Sequence, residues 1–229
     1  MGHVNDNGDG YLSRSGFGTR LRLIASRMPL REEESPEMVK CLELGCRTGE
    51  LLWELIRAGK VHSGEAYGVD IDVEYLESAR EKGIVTSVCD LCSDRLPFSD
   101  NTFSYILLSE VIEHIPFYNH LLSEAARCLK PGGELILTTP NLATVRRRLR
   151  LLWGSDIHRV YMPQSNDIHY RLFTSASIVT LLECHGIAVK ELLFYDLPAR
   201  SNAVACVLRP IKAVFPSLCG YIFCRAAKK

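Results

Sequence analysis

The chain predicts an α/β fold with a doubly wound, mostly parallel sheet. Three observations carry this prediction. A short apolar run ends in the glycine-flanked turn of Cys41–Glu50, CLELGCRTGE, and leads into Leu51, Leu52, Leu55 and Ile56 at helical spacing. Strand-like and helix-like segments then alternate to about residue 140, as βα units of a parallel sheet do. Polar residues stand where successive apolar strands end: Glu43, Asp70, Asp90 and Ser109-Glu110. Ligands of such sheets collect beyond the carboxyl ends of the strands.

The elements follow in order. The first strand is the run from Met38 to Leu44, and its helix opens at Gly49. A second strand spans Ala66–Val69 and ends in Asp70. A helix over Val73–Lys82 is capped by Asp72, whose side chain can accept from the free N–H groups of the first turn. Ile84–Cys89 and Ser104–Leu108 are strands three and four, the latter apolar throughout, as a strand buried on both faces requires. Ile112–Cys128 reads as a helix interrupted at Pro116. Lys130-Pro-Gly-Gly133 reads as a turn before a fifth strand at Glu134–Thr138. Asn141–Trp153 is an amphipathic basic helix, and Thr174–His185 is a helix stopped by Gly186.

Composition narrows the class. The chain has 229 residues, 47% hydrophobic and 24% charged, enough for one domain with its own core. Net charge is 0, which removes any global field toward nucleic acid or anionic membrane. No apolar stretch suits a signal peptide or a membrane span, so a cytoplasmic protein is expected. The nine cysteines read as small buried hydrophobes, Cys89 and Cys92 of the single C-x-x-C included. Asn5–Gly10 imitates a calcium loop, but its twelfth position is Gly16, so calcium is not expected. Residues 1–34 read as an N-terminal extension and 35–229 as one domain, with a cofactor-binding half at 35–140 and a substrate-side half at 141–229.

The first turn also selects the ligand. The pattern is E-x-G-x-R-x-G, with Gly45 and Gly49 allowing close approach of the backbone. A carboxylate at Glu43 would repel a pyrophosphate, so a dinucleotide is disfavoured. It suits a ligand with an ammonium or sulfonium charge, such as S-adenosylmethionine. Asp70, 21 residues past Gly49, stands where an acidic residue grips ribose hydroxyls.

CLELGCRTGELL, YGVDIDVEYLESAR, SVCDLCSDRLPFSDNTFSYILLSEVIEHI and EAARCLKPGGELILTTPN together resemble the class I S-adenosylmethionine-dependent methyltransferases. HYRLFT at 169–174 and the closing strand resemble the ubiquinone-type O-methyltransferases and glycan- or lipid-modifying relatives. The resemblance implies seven strands, the last antiparallel and inserted beside the sixth, here Tyr221–Ala226 and Val189–Phe194. It implies that Gly45, Cys46 and Gly49 wrap the methionine half, with Glu43 near its amino group. Asp70 would hold the ribose, Ile71 and Leu91 would flank adenine, Asp90 would accept from the adenine amino group, and Ser109 would close the floor. Arg47 stands where the family most often has glycine, and would either narrow the pocket or swing out toward the methionine carboxylate.

Methyl transfer to a hydroxyl needs a base or a metal. Glu110, Glu113 and His114 are spaced to share one helical face at the cleft mouth. Metal-dependent relatives use a similar E-x-x-E-H set with a further histidine, for which His169 is available. Three roles stay open for His114: base or acceptor contact, ligand of a divalent metal, or structural residue. Arg146, Arg147, Arg148 and Arg150 crowd a helix that either covers the core or meets an anionic acceptor, a membrane surface or RNA. The expected activity is methyl transfer to a hydroxyl of a small molecule, lipid or glycan. The alternatives are an RNA-directed methyltransferase and a non-catalytic binding module of the same fold.

Overall fold

The computed structural model describes residues 16–29, 39–154, 169–196, 210 and 212–229. The calcium-like segment, nearly all of the 155–169 stretch expected from sequence to be a substrate-covering loop, and most of the apolar 203–215 stretch lie outside these residues. Seven strands form one sheet: β1 (Cys41–Leu44), β2 (Ala66–Asp70), β3 (Val85–Val88), β4 (Phe103–Ser109), β5 (Leu129–Pro140), β6 (Ile187–Tyr195) and β7 (Tyr221–Lys228), in the order β3-β2-β1-β4-β5-β7-β6. β1 to β5 pair in parallel, and β7 runs antiparallel between β5 and β6.

The helices are α1 (Gly16–Arg27), α2 (Glu50–Arg57), α3 (Val73–Glu81), α4 (Tyr118–Cys128), α5 (Val145–Leu152) and α6 (Ser175–Cys184). The central parallel strands bury both faces, whereas β3 at the sheet edge leaves Val85 and Val88 exposed. On one side Leu42, Leu44, Ile106 and Leu108 pack with Leu121, Leu122 and Ala125 of α4 and Ile178 and Leu182 of α6. On the other, Cys41, Leu107, Ile136 and Phe223 pack with Leu51, Leu52 and Leu55 of α2 and with Ile24 of α1. Asp72 caps α3 by accepting from the Glu74 and Tyr75 N–H groups, and Thr174 caps α6 in a reciprocal capping box with Ser177.

Four local expectations need correction. The polar opening is not wholly an extension, because α1 buries Ile24 and Met28 against α2 and the sheet. The 112–128 helix is two pieces, a 3-10 turn at Ile112–His114 and then α4, because Pro116 cannot supply the N–H a continuous helix needs. Lys130–Gly133 is not a separate turn but an irregularity within β5, where the pairing shifts between Phe103 and Tyr105 and Gly132 takes a φ of 76°. The basic helix begins only at Val145, because Asn141 bridges to Phe173 and Thr144 caps the first turn. None of its residues is buried, and Leu149, Leu151, Leu152 and Trp153 stand exposed.

Candidate active site

The carboxyl ends of β1, β2 and β4 meet under the first turn. Gly45 and Cys46 donate to the Val69 carbonyl at 2.8 and 3.0 Å, which bends the chain back over β2. Gly45 (φ 72°), Arg47 (φ 48°) and Gly49 (φ 74°) are all left-handed. A Cβ on Gly49 would stand 2.4 Å from Ile84 Cδ1, so the turn is closed against α3 and β3 as well as being left-handed. Arg47 is exposed and lays its guanidinium over the Tyr75 ring, 5.3 Å from the centroid. Its side chain is thus directed toward α3. Its N–H donates to Asp70 Oδ2 at 2.8 Å, while Asp72 N–H donates to Oδ1 at 3.1 Å. Asp70 thus stitches the turn to the end of β2 and keeps lone pairs for a ligand.

Ile71 is 66% exposed directly after Asp70, an open apolar face beside the cleft. Asp90 accepts from Cys92 N–H at 2.9 Å and from Ser93 Oγ at 3.1 Å, and the Cys92 N–H holds its carboxyl below the usual range. Leu91 is buried beside it. Ser109 Oγ lies 3.4 Å from Thr138 Oγ1 at the end of β4.

Glu43 is enclosed: it is 5% exposed and Oε2 has no partner. Burial is the main cause pushing its pKa to about 8, with the Leu52 N–H opposing and nearby Asp70 adding to the rise. Burial thus favours its neutral form, and a cationic ligand would oppose that shift.

The acidic mouth is arranged differently from one helical face. Glu110 is left-handed (φ 58°), a conformation uncommon outside glycine, and its N–H donates to the Thr138 carbonyl at 3.0 Å. That twist aims its side chain at α1, where Oε2 lies 3.9 Å from Arg20 Nη1. Glu113, on the 3-10 turn, points the other way. It is fully buried, Oε2 accepts from Thr139 Oγ1 at 3.0 Å, and its carbonyl accepts from Tyr170 N–H at 2.8 Å. Oε1 has no partner. Burial, then Glu110, raises its pKa to about 8. The Tyr170 contact brings His169 to His114, with ring centroids 4.7 Å apart at 73°.

The structure therefore gathers Glu113, His114 and His169, whose ligand atoms all lie within 4.8 Å of one another, and leaves Glu110 outside that set on Arg20. One buried carboxylate and two imidazoles suit a divalent first-row metal or zinc, and the unpartnered Oε1 supports the fit. Arg20 was not singled out by sequence reasoning. The signal available was Leu21, Ile24 and Met28 at helical spacing, which makes α1 part of the core and carries Arg20 to the cleft. Among the described residues no helix is long and apolar enough to cross a membrane.

Residues 17–192 match the family model described as a methyltransferase domain. The demethylmenaquinone methyltransferase of Bacillus licheniformis is 32% identical over 105 residues, 44% of this chain and 44% of that protein. That of Bacillus cereus is 32% identical over 103 residues, 42% and 43% of the two chains. The chain thus matches less than half the length of these curated relatives. Among solved structures, a Thermotoga maritima S-adenosylmethionine-dependent methyltransferase, described as a possible histamine N-methyltransferase, superposes with a TM-score of 0.64. It is 18% identical, with 97% of this chain and 96% of that one covered. Phosphoethanolamine N-methyltransferase 2 of Haemonchus contortus, bound to S-adenosylmethionine, superposes at 0.62 with 18% identity, covering 93% of this chain and 53% of that one. The match spans most of the chain, from α1 into β6, and the sheet order agrees with it: the chain belongs to the methyltransferase domain family, with the class I fold of its S-adenosylmethionine-dependent members.

Proposed function

We propose that the chain transfers a methyl group from S-adenosylmethionine to a hydroxyl of a small molecule, lipid or glycan. The observation that carries the acceptor half is the meeting of buried Glu113 with His114 and His169 at the end of β4. The donor half rests on family membership and on the turn next to it.

In this reading Gly45, Cys46 and Gly49 present backbone to the methionine portion, and Glu43 faces its ammonium. Asp70 accepts from the ribose hydroxyls with the lone pairs that Arg47 and Asp72 leave free. Ile71 and Leu91 flank adenine, Asp90 accepts from its amino group, and Ser109 lines the floor. His114 orients the acceptor hydroxyl or takes its proton. Glu113, His114 and His169 would hold a divalent metal, which when bound supplies acidification of the hydroxyl. Glu110 lies outside that set, tying α1 down through Arg20 and adding negative charge at the cleft edge. A quinone-type acceptor is the second reading, favoured by the name of the curated relatives.

The test is label transfer from tritiated S-adenosylmethionine into lipid, sugar and RNA fractions, with Mg²⁺, Mn²⁺ or chelator, beside calorimetry of S-adenosylhomocysteine and of each metal. Label is expected in the lipid or sugar fraction. H114A and H169A should weaken metal binding by about tenfold or more while donor-product affinity holds. Label confined to RNA would sink the hydroxyl reading, and a carbon-bound methyl would select the quinone reading.

A further inference from the structure

Three of the four arginines of α5 face outward and one does not. Arg146, Arg148 and Arg150 are exposed, whereas Arg147 is half-buried and donates a guanidinium N–H to the Asn141 carbonyl. Asn141 is fully buried and fixed, its side-chain amide donating to the Ser217 and Cys219 carbonyls at 2.8 Å each. The guanidinium is therefore anchored at the carboxyl end of β5, two residues along the chain from Thr139, the hydroxyl that holds Glu113. Tyr221 lies opposite Pro140 across the β5–β7 ladder, and it feels Glu110 and Glu113 as well as Arg20 and Arg147. Arg147, Glu110 and Glu113 thus all bond to the end of β5 and the residue after it, Thr138 to Asn141.

Nothing among the described residues neutralises it. No carboxylate of theirs lies within ion-pair distance of Arg147, and its one acceptor is a neutral carbonyl, although a guanidinium carries five N–H groups. Burial disfavours its charge. A half-desolvated cation without an anion is a ready receptor for an anionic ligand.

The remaining walls carry unspent polar atoms too. Tyr195 is 8% exposed, and its Oη has no hydrogen-bond partner although the Thr138 hydroxyl lies near. Its ring stacks on Tyr221 with centroids 5.3 Å apart. Glu110 Oε1 and Arg20 Nε are also buried and unpartnered. Four such side chains around one strand end suit a polar molecule rather than packing.

We infer that this strand end seats the methyl acceptor and that Arg147 receives an anionic group, carboxylate or phosphate, carried by that acceptor. The inference rests on the methyl-transfer reading and narrows its substrate class. It also sets orientation. The Arg147 guanidinium draws the anionic end toward α5, which leaves the hydroxyl end toward His114. The other three arginines, being exposed, take no part.

The experiment is calorimetry on the full chain saturated with S-adenosylhomocysteine, using benzoate, phenyl phosphate and phenol as probes. At least one anion should bind about tenfold or more tightly than phenol, the scale of a charge-assisted contact. R147A should erase that preference and leave phenol unchanged, R147K should keep most of it, and R148A should keep all of it. The ratio of benzoate to phenyl phosphate tells carboxylate from phosphate. Phenol binding as tightly as both anions, or a preference that survives R147A, overturns the inference while S-adenosylhomocysteine still binds. Failure of S-adenosylhomocysteine itself to bind overturns the methyl-transfer reading and takes this inference with it.

Discussion

Raising the pH from 5 to 8 should destabilise the ligand-free protein, through two buried carboxyls. Glu43 and Glu113 are each raised from 4.5 to about 8, mainly by burial, and each has one oxygen with no partner. Between about pH 4.5 and 8 the folded chain keeps protons there that the unfolded chain has released. Stability is therefore fully present below the unfolded value and is lost as pH rises through the folded one. At ~1.4 kcal/mol per pH unit, a shift of this size has a ceiling of roughly 5 kcal/mol per group. Water entry and relaxation reduce such ceilings, so a combined loss on the order of 3–5 kcal/mol is expected. That is a large share of a typical folding free energy of about 5–15 kcal/mol. With a urea slope of about 2 kcal/mol per M, the midpoint should fall by roughly 1.5–2.5 M across the window. Urea titrations at constant ionic strength measure it. E43Q and E113Q keep the volume and mimic the neutral acid, so each should remove part of the slope. A midpoint that rises from pH 5 to 8, or an unchanged fall in the double variant, would refute the burial argument.

Two further outcomes test the donor half. D70A removes the acceptor of the Arg47 and Asp72 N–H groups and the ribose contact together. S-adenosylhomocysteine affinity should drop by roughly 10- to 100-fold in calorimetry, and wild-type affinity in this variant would defeat the placement of the ribose. G49A forces a Cβ to within 2.4 Å of Ile84 Cδ1 and 3.0 Å of Ala79 Cβ at a φ of 74°. It should cost about 1–3 kcal/mol and lower the melting temperature by several degrees, and an unchanged melt would mean the turn relaxes freely.

What was legible in the sequence was what local patterning decides. The turn at Gly45 and Gly49, the capping of α3 by Asp72, and the insertion of β7 beside β6 all follow from short-range chemistry or family pattern. Three things were not. Lys130-Pro-Gly-Gly133 has the composition of a turn, and only the pairing with β4 shows that it lies inside a strand. Glu110 and Glu113 have helical spacing, but the positive φ of Glu110 splits their side chains between α1 and Thr139. Periodicity also treats Arg146 to Arg150 as one charged stripe. The inward turn of Arg147 depends on Asn141, which β7 and its preceding turn fix from some 80 residues away.

These misses share a cause that bears on function. In each, an element distant in sequence decides: β4 for Lys130–Gly133, α1 for Glu110, the 169–171 segment for Glu113 and His114, and the approach to β7 for Arg147. The donor half, Cys41 to Leu91, is built from consecutive βα units whose polar ends converge because parallel strands place them at one edge. The proposed acceptor side has no such rule, since the residues assigned to it come from α1, α5, β6 and β7. A fold that fixes donor contacts locally and acceptor contacts by long-range closure can change its acceptor without disturbing its donor. The acceptor of this chain should accordingly be sought through Arg147, Tyr195 and Tyr221, because the glycine turn does not distinguish one methyl acceptor from another.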